Sequence, residues 1–331
     1  MSEAKQRSGS GAIETNTAED AEFRAEARAW LDANATLRRV DADEFKRRWA
    51  ATKTDPVEER AHADLCKVWQ RRIFDAGFAG IAVPREYGGR GGTRNQHRIW
   101  QQESRRYDID TGLFSVGHGM VLPTILAHGT EWQKERFVRA MLRGDEVWCQ
   151  LFSEPGAGSD LAGLTTRAER DGDEWVVNGQ KVWNSYAHVA DYGILLTRTN
   201  WDVPKHRGIT YFLVDMHSTG LEVRPLRQMT GVAHFNETFL SDVRIPDAHV
   251  LGGVDNGWAV AQTTLMNERD LIGGAGGSGG GFRDLVEMAS HFGCAGDVRI
   301  RQQLAASFTR TKILEFLGRR TRAALAAGKV P

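Results

Sequence analysis

Between Trp175 and Trp183 the chain reads Trp-Val-Val-Asn-Gly-Gln-Lys-Val-Trp. Two short runs of β-branched and aromatic residues flank an Asn-Gly pair, which accommodates the positive φ that both central residues of a type I′ turn require. The spacing predicts a β-hairpin turning at Asn178-Gly179. Further strands are expected at Gly193–Thr199, Ile209–Val214, Leu221–Pro225 and Phe235–Ile245, separated by polar or Gly/Pro connections. The middle of the chain is thus committed to a sheet.

On either side the apolar period changes to that of a helix. Thr17, with Asp20 three residues on, reads as a helix start, and Phe23, Ala27, Trp30 and Leu31 follow at helical spacing. Leu65, Val68, Trp69, Ile73 and Ala76 form a second stripe, expected to be core, ending at Gly77. The pattern stays helical from Asp108 to Arg143, with Pro123 and Gly129 as punctuation, and returns from Trp258, continuing through Leu304–Leu325. The reading is an α+β multidomain chain. It has a disordered leader at 1–16, a helical domain at 17–145, a central β-domain at 146–253 and a helical domain at 254–331.

Composition narrows the function classes. Of 331 residues, 41% are hydrophobic, with ten Trp and fourteen Phe, ample for buried cores. Lys plus Arg and Asp plus Glu number 43 each, so no net field draws the chain to nucleic acid or to an anionic membrane. No apolar run approaches the roughly 20 residues that span a bilayer, and residues 1–16 lack the apolar core of a signal peptide. A soluble, cytoplasmic protein is expected. Cys66, Cys149 and Cys294 are odd in number and far apart, without a CxxC pair, which fits reduced thiols. His291 and Cys294 have one metal-compatible spacing but no second pair, so no metal is assigned.

The segment from Trp148 to Asp191 carries the functional signal. Glu154-Pro155-Gly156-Ala157-Gly158-Ser159-Asp160 is a small-residue turn, in which Gly and Pro let backbone approach a large flat ligand while Ser hydroxyls and freed amides offer hydrogen bonds. Alone, that turn is an ordinary loop and Trp183 an ordinary core aromatic. Their combination with Trp183-Asn184-Ser185 resembles the flavin- and substrate-contacting block of the acyl-CoA dehydrogenase family. The similarity extends to Gly80-Ile81-Ala82-Val83-Pro84-Arg85-Glu86-Tyr87-Gly88-Gly89, to Leu122-Pro123-Thr124-Ile125 leading to Gly129, and to Met229-Thr230-Gly231.

The resemblance implies an N-terminal helical domain, a central β-domain and a C-terminal helical bundle, with FAD between the last two. In that family a carboxylate removes the α-proton of an acyl thioester while hydride leaves the β-carbon for flavin N5, giving the trans-2-enoyl thioester. Both bonds must be held at reacting distance from opposite sides. By motif match, Gln150, Phe152 and Ser153 would contact the isoalloxazine edge, Trp183 would pack against the ring, and Ser185 would hydrogen-bond near N5. A commoner form of the motif has Thr at the position of Ser185. Ser159 would meet the CoA portion. The implied partners are an acyl-CoA substrate, an electron-transferring flavoprotein as acceptor, and either identical subunits or a heteromeric partner subunit.

The base implied for one group of the family is a Glu immediately before an Arg on the first helix after the β-domain, and Glu268-Arg269 fits, with Arg269 a candidate substrate contact. Trp258, Ala261, Leu265, Glu268 and Ile272 share one face of that helix, so a carboxylate interrupts an apolar stripe. The resemblance also implies bundle helices beyond Pro331, so residues 254–331 are expected to hold only the first two. The Arg-x-x-Phe-Gly type of flavin contact is not recognisable in Asp297–Gln303. Two alternatives stay open: a non-catalytic or truncated subunit of a heteromeric dehydrogenase, and a flavin oxidase or monooxygenase on the same fold. Gly274–Gly279 formally satisfies GxGxxG but follows a helix, which excludes a dinucleotide-fold site. The seven glycines from Gly273 to Gly281 serve either as a hinge or to widen an acyl pocket for a bulky, polycyclic chain.

Overall fold

The computed structural model describes residues 17–37, 56–229, 231, 233–273 and 282–327. The expected leader, Thr230 of the Met-Thr-Gly motif, residues 274–281 of the glycine-rich segment and residues 328–331 lie outside the described residues.

Helix α1 (Ala18–Asn34) begins with the expected reciprocal cap: the Asp20 N–H donates to Thr17 Oγ1 at 3.1 Å and the Thr17 N–H to Asp20 Oδ2 at 3.2 Å. Helices α2 (Pro56–Asp75), α3 (Arg94–Ser104), α4 (Leu122–His128) and α5 (Glu131–Arg143) follow. Phe23, Leu31, Ile73, Phe78, Ile99 and Trp100 form a core of their own, in which the Phe78 and Trp100 rings stack at 4.5 Å. The stripe on α2 is corrected here: Leu65 and Val68 are exposed, whereas Cys66, Gln70 and Ile73 are buried. The Gln70 amide donates to the Leu142 carbonyl at 2.6 Å, so a hydrogen bond to α5 helps set which face turns inward.

Seven strands form one sheet: β1 (Trp148–Leu151), β2 (Arg167–Asp171), β3 (Glu174–Ser185), β4 (Tyr192–Arg198), β5 (Ile209–Asp215), β6 (Leu221–Leu226) and β7 (Phe235–Pro246). Their order is β1-β4-β2-β3-β7-β6, with β5 paired to β4. The parallel β1–β4 pair contrasts with antiparallel β2–β3, β3–β7, β4–β5 and β6–β7 pairs. Strands β4 to β7 occur almost residue for residue where the alternation placed them.

The hairpin does not. β3 runs through Asn178-Gly179 without turning, and the β2–β3 turn falls at Gly172-Asp173, where Gly172 takes a φ of +68°. Asn178-Gly179 instead lies at a register break against β7, where Val177 pairs with Val243 and Gly179 with Leu240. Asp242 on the bulged side takes a φ of +52°. The Asn178 amide donates to Asp242 Oδ1 at 2.9 Å and Asn178 Oδ1 accepts the Asp242 N–H at 3.0 Å, so the polar group expected to make a turn makes a cross-strand contact. Gly179 answers a different demand: a Cβ there would lie 2.7 Å from Thr166 Cα.

Helices α6 (Gly257–Gly273), α7 (Phe282–His291) and α8 (Val298–Ala326) close the described chain. A Cβ at Gly257 would lie 2.6 Å from the Thr210 carbonyl carbon, so α6 starts hard against β5. Buried Thr264 then meets Tyr211 Oη at 3.1 Å and Thr124 Oγ1 at 3.0 Å, fastening α6 to β5 and α4. One core, including Ile125, Phe137, Trp148, Ile194, Leu213 and Val260, joins the N-terminal helices, one face of the sheet and α6. A second, including Cys149, Val177, Leu195, Phe212 and Val243, lies on the opposite face, as the two-residue period dictates. Among the described residues, no helix is long and apolar enough to cross a membrane.

Candidate active site

Three segments far apart in sequence converge: β1 with the turn after it, the second half of β3, and α6. Beyond β1, the Glu154 N–H donates to the Ala157 carbonyl at 3.0 Å and the Ala157 N–H to the Glu154 carbonyl at 3.1 Å, closing a tight turn around Pro155-Gly156. A Cβ at Gly156 or Gly158 would meet no atom within 4 Å, so the turn borders open space, and Ser159 is exposed.

On β3 a second register break separates Lys181 from Asn184, and within it Trp183 adopts a φ of +63°. Left-handed backbone at a bulky residue costs on the order of 1–3 kcal/mol. The consequence is directional. Lys181, Val182 and Asn184 are buried, while Trp183 turns out with 61% of its surface exposed and its ring edge-on to Phe235 at 6.0 Å. A flat, apolar-faced ligand laid against Trp183 would recover that exposed area, so the residues present fit an isoalloxazine ring.

The other predicted contacts lie beside it. Ser153 and Ser185 are half-buried. Phe152 sends its ring into the core, edge-on to Tyr211 at 5.7 Å, leaving only its backbone to reach a ligand. The Gln150 carbonyl accepts the Asn184 amide at 2.9 Å, and its own side-chain amide reaches Glu268 Oε2 at 3.5 Å, the long limit for a hydrogen bond. Glu268 is half-buried one turn beyond Thr264, and Arg269 is exposed. The structure thus joins Gln150 to Glu268 across 118 residues and places Arg269 and Ser159 at the surface.

The strongest electrostatic feature is a pair absent from the sequence expectations. Lys181 Nζ donates to Glu154 Oε1 at 2.8 Å, with side-chain exposures of 0% and 5%. Glu154 also accepts the Thr165 N–H at 2.7 Å, the Thr165 hydroxyl at 2.9 Å and the Thr166 N–H at 2.9 Å. Burial alone would raise the Glu154 carboxyl, but the Lys181 ammonium and these donors outweigh it and hold the group down at about 2. Burial pushes Lys181 down to about 8, against the opposing pull of Glu154. Asn184 completes the set: its Oδ1 accepts the Thr238 hydroxyl at 3.0 Å and its carbonyl accepts the Asn236 amide at 2.8 Å. Glu154, Lys181 and Asn184 stand inside the recognised motifs, yet nothing in their spacing pairs them: Lys181 keeps the phase of buried Trp175 and Val177, but Glu154 meets it only through the fold, and the second bulge shifts the inward phase to Asn184.

Two cavities lie elsewhere. One of about 250 Å³ sits between α7 and α8, lined by Leu285, Met288, Phe292 and Leu304 among others. Another of about 240 Å³ is bordered by Thr165, Arg198, Trp201 and Lys205, beside the Ser159-Asp160 turn. Neither includes Gln150, Trp183 or Glu268. His62, Cys66 and Asp110, away from these residues, bring one nitrogen, one sulfur and one oxygen within 4.8 Å of one another.

Both the sequence and the fold have known relatives. Residues 17–145 match the acyl-CoA dehydrogenase N-terminal domain and residues 149–243 the acyl-CoA dehydrogenase middle domain. Acyl-CoA dehydrogenase IpdE1 of Mycobacterium tuberculosis is 38% identical over 293 residues, covering 87% of this chain and 73% of that protein. Acyl-CoA dehydrogenase FadE34 of the same organism is 47% identical over 219 residues, 66% of this chain but only 30% of FadE34. A solved structure described as the Tcur3481-Tcur3483 steroid ACAD superposes with a TM-score of 0.75 at 31% identity, over 96% of this chain and 79% of that one. N-terminal helices, a central β half-barrel and C-terminal helices make up the acyl-CoA dehydrogenase fold. The chain belongs to the acyl-CoA dehydrogenase family, whose members are FAD-binding oxidoreductases.

Proposed function

We propose that this chain carries out α,β-dehydrogenation of an acyl-CoA thioester to the trans-2-enoyl thioester, with Glu268 as the base. The meeting of Gln150 and Glu268 beside an outward-turned Trp183 carries the reading. When bound, FAD supplies the acceptor for the hydride that leaves the β-carbon. Trp183, Ser153, Ser185 and the backbone of Gln150 and Phe152 would hold it. Glu268 accepts the α-proton, and the Gln150 amide, at 3.5 Å, orients the carboxylate for that task. Base and ring-packing residue come from different elements, α6 and β3, which suits a reaction whose two hydrogens leave from opposite faces.

Ser159 and Arg269, both exposed, would meet the CoA portion. A bulky, ring-bearing acyl group is the proposed substrate class, supported by the likeness to a structure named as a steroid ACAD and by the glycine-rich sequence after α6. Electrons would pass to an electron-transferring flavoprotein in the cytoplasm; oxygen uptake during turnover would instead favour an oxidase. Assembly with further subunits is proposed from α8, where Phe308, Ile313, Leu314, Phe316 and Leu317 are exposed.

The test is a visible absorption spectrum of the purified chain with added FAD, followed by titration with straight-chain and steroid-ring acyl-CoAs. Bound flavin that bleaches with the ring-bearing substrate is the expected result. Bleaching only with short straight chains would overturn the substrate class, and absence of flavin binding would overturn the activity of this chain on its own.

A further inference from the structure

Strand β3 grips the turn after β1 almost residue by residue. The Asn184 amide holds the Gln150 carbonyl at 2.9 Å, the Val182 N–H holds the Ser153 carbonyl at 2.9 Å, and Lys181 Nζ holds the Phe152 carbonyl at 3.1 Å together with Glu154. Gly179 lies against Thr166, and the Thr166 N–H donates to the same Glu154 carboxylate. One carboxylate therefore ties both ends of the excursion that carries Ser159, residues 154 and 166, to one strand. Trp183 stands between two anchors, Lys181 on one side and Asn184 on the other. Both bind carbonyls of the segment that carries Ser153.

Stability alone does not call for this pair. A buried ion pair roughly breaks even against apolar residues of similar volume, because desolvation cancels most of the attraction. What an apolar pair cannot supply is direction: the ammonium donates to Glu154 and to the Phe152 carbonyl, and the carboxylate accepts three further bonds from Thr165 and Thr166, so the pair ties two backbone segments to β3. Lys181 is fully buried and Glu154 nearly so, so both act through the backbone they hold.

We propose that Lys181 and Glu154 are positioning residues that set the spacing between Ser153 and Trp183 and so shape the FAD seat, an inference that rests on the flavoenzyme reading above. The segments they join are the two that carry the predicted ring contacts, and the left-handed backbone at Trp183 is held by the anchors flanking it.

The test titrates FAD into the 331-residue wild-type chain, Lys181→Met and the double variant Glu154→Gln/Lys181→Met. It reads flavin fluorescence, thermal midpoint and hydrogen exchange at the Thr165 and Thr166 amides. The single variant is expected to lose thermal stability, to exchange those amides faster and to bind FAD at least tenfold more weakly. The double variant, which leaves no unpaired charge, is expected to recover most of the thermal midpoint but not the FAD affinity. A pair that serves stability alone would restore both together, so a double variant binding FAD within twofold of wild type overturns the proposal. If Lys181→Met does not fold, the double variant decides. A wild-type chain that binds no FAD in the same titration overturns the reading of this chain as a flavoenzyme on its own, an outcome distinct from equal binding by wild type and variant.

Discussion

Strand β3 and helix α8 are held in opposite ways. β3 buries a lysine and an asparagine and gives each polar head a partner inside the chain. α8 exposes Phe308, Ile313, Leu314, Phe316 and Leu317, and its ion pairs, Lys312–Glu315 at 2.8 Å and Arg319–Glu315 at 2.5 Å, are local to the helix. Among the described residues it packs against α7, with Phe282 edge-on to Phe308 at 5.1 Å. Buried, fully partnered polarity marks where a chain fixes geometry for itself, whereas exposed apolarity marks where it looks to another surface.

The sharpest way to break that contrast is at the site β3 serves. Glu268→Gln should lower the rate of flavin bleaching by acyl-CoA by about 10²–10⁴-fold, the range for loss of a general base, with FAD affinity unchanged. Near-normal bleaching in stopped flow would remove Glu268 from the mechanism. Next in size is Glu154→Gln, which leaves the Lys181 ammonium buried and unpaired and should cost about 3–5 kcal/mol in urea unfolding. Glu315→Gln on α8, where the carboxylate is half-buried and its ion-pair partners lie on the same helix, should barely move the unfolding midpoint. Equal effects of the two substitutions would erase the distinction between the regions.

Acid should expose the same difference. Glu154 is held at about 2 in the folded chain against an ordinary value of 4.5. The unfolded chain therefore binds the proton first as pH falls. The contribution of Glu154 is fully present above pH 4.5 and is lost as pH drops toward about 2. Wild type should lose stability across that window more steeply than Glu154→Gln, and parallel curves would show that the pair does not carry the linkage. The smallest expected change in stability is Leu314→Glu on α8, within about 0.5 kcal/mol for the isolated chain, accompanied by a shift to smaller species in analytical ultracentrifugation. Unaltered sedimentation would mean that α8 is not an assembly surface.

Much of the fold was legible in the sequence. β4 to β7 alternate or run apolar within short, punctuated segments, and the Thr17–Asp20 cap announces α1 by residue type alone. The α2 stripe misled because Gln70 is buried by a hydrogen bond to Leu142, which hydropathy scores as exposure. The motifs nominated Gln150, Ser153, Trp183 and Glu268 as candidates, but gave no sign of the Lys181–Glu154 pair behind them.

The sequence by itself determined the order of helices, sheet and helices, because periods of 3.6 and 2 are properties of neighbouring residues. It also carried the two motifs that mark the family. Only the tertiary structure decided that Asn178-Gly179 lies opposite a bulge and not in a turn, since the choice depends on Asp242 across the sheet and on Thr166 pressing against Gly179. It alone decided that Lys181 is buried against Glu154 and Trp183 turned out to solvent. A register break reverses which side chains of the bulged strand face inward, as β3 does between Lys181 and Asn184, and where the breaks fall is set by strands that meet only once the chain has folded.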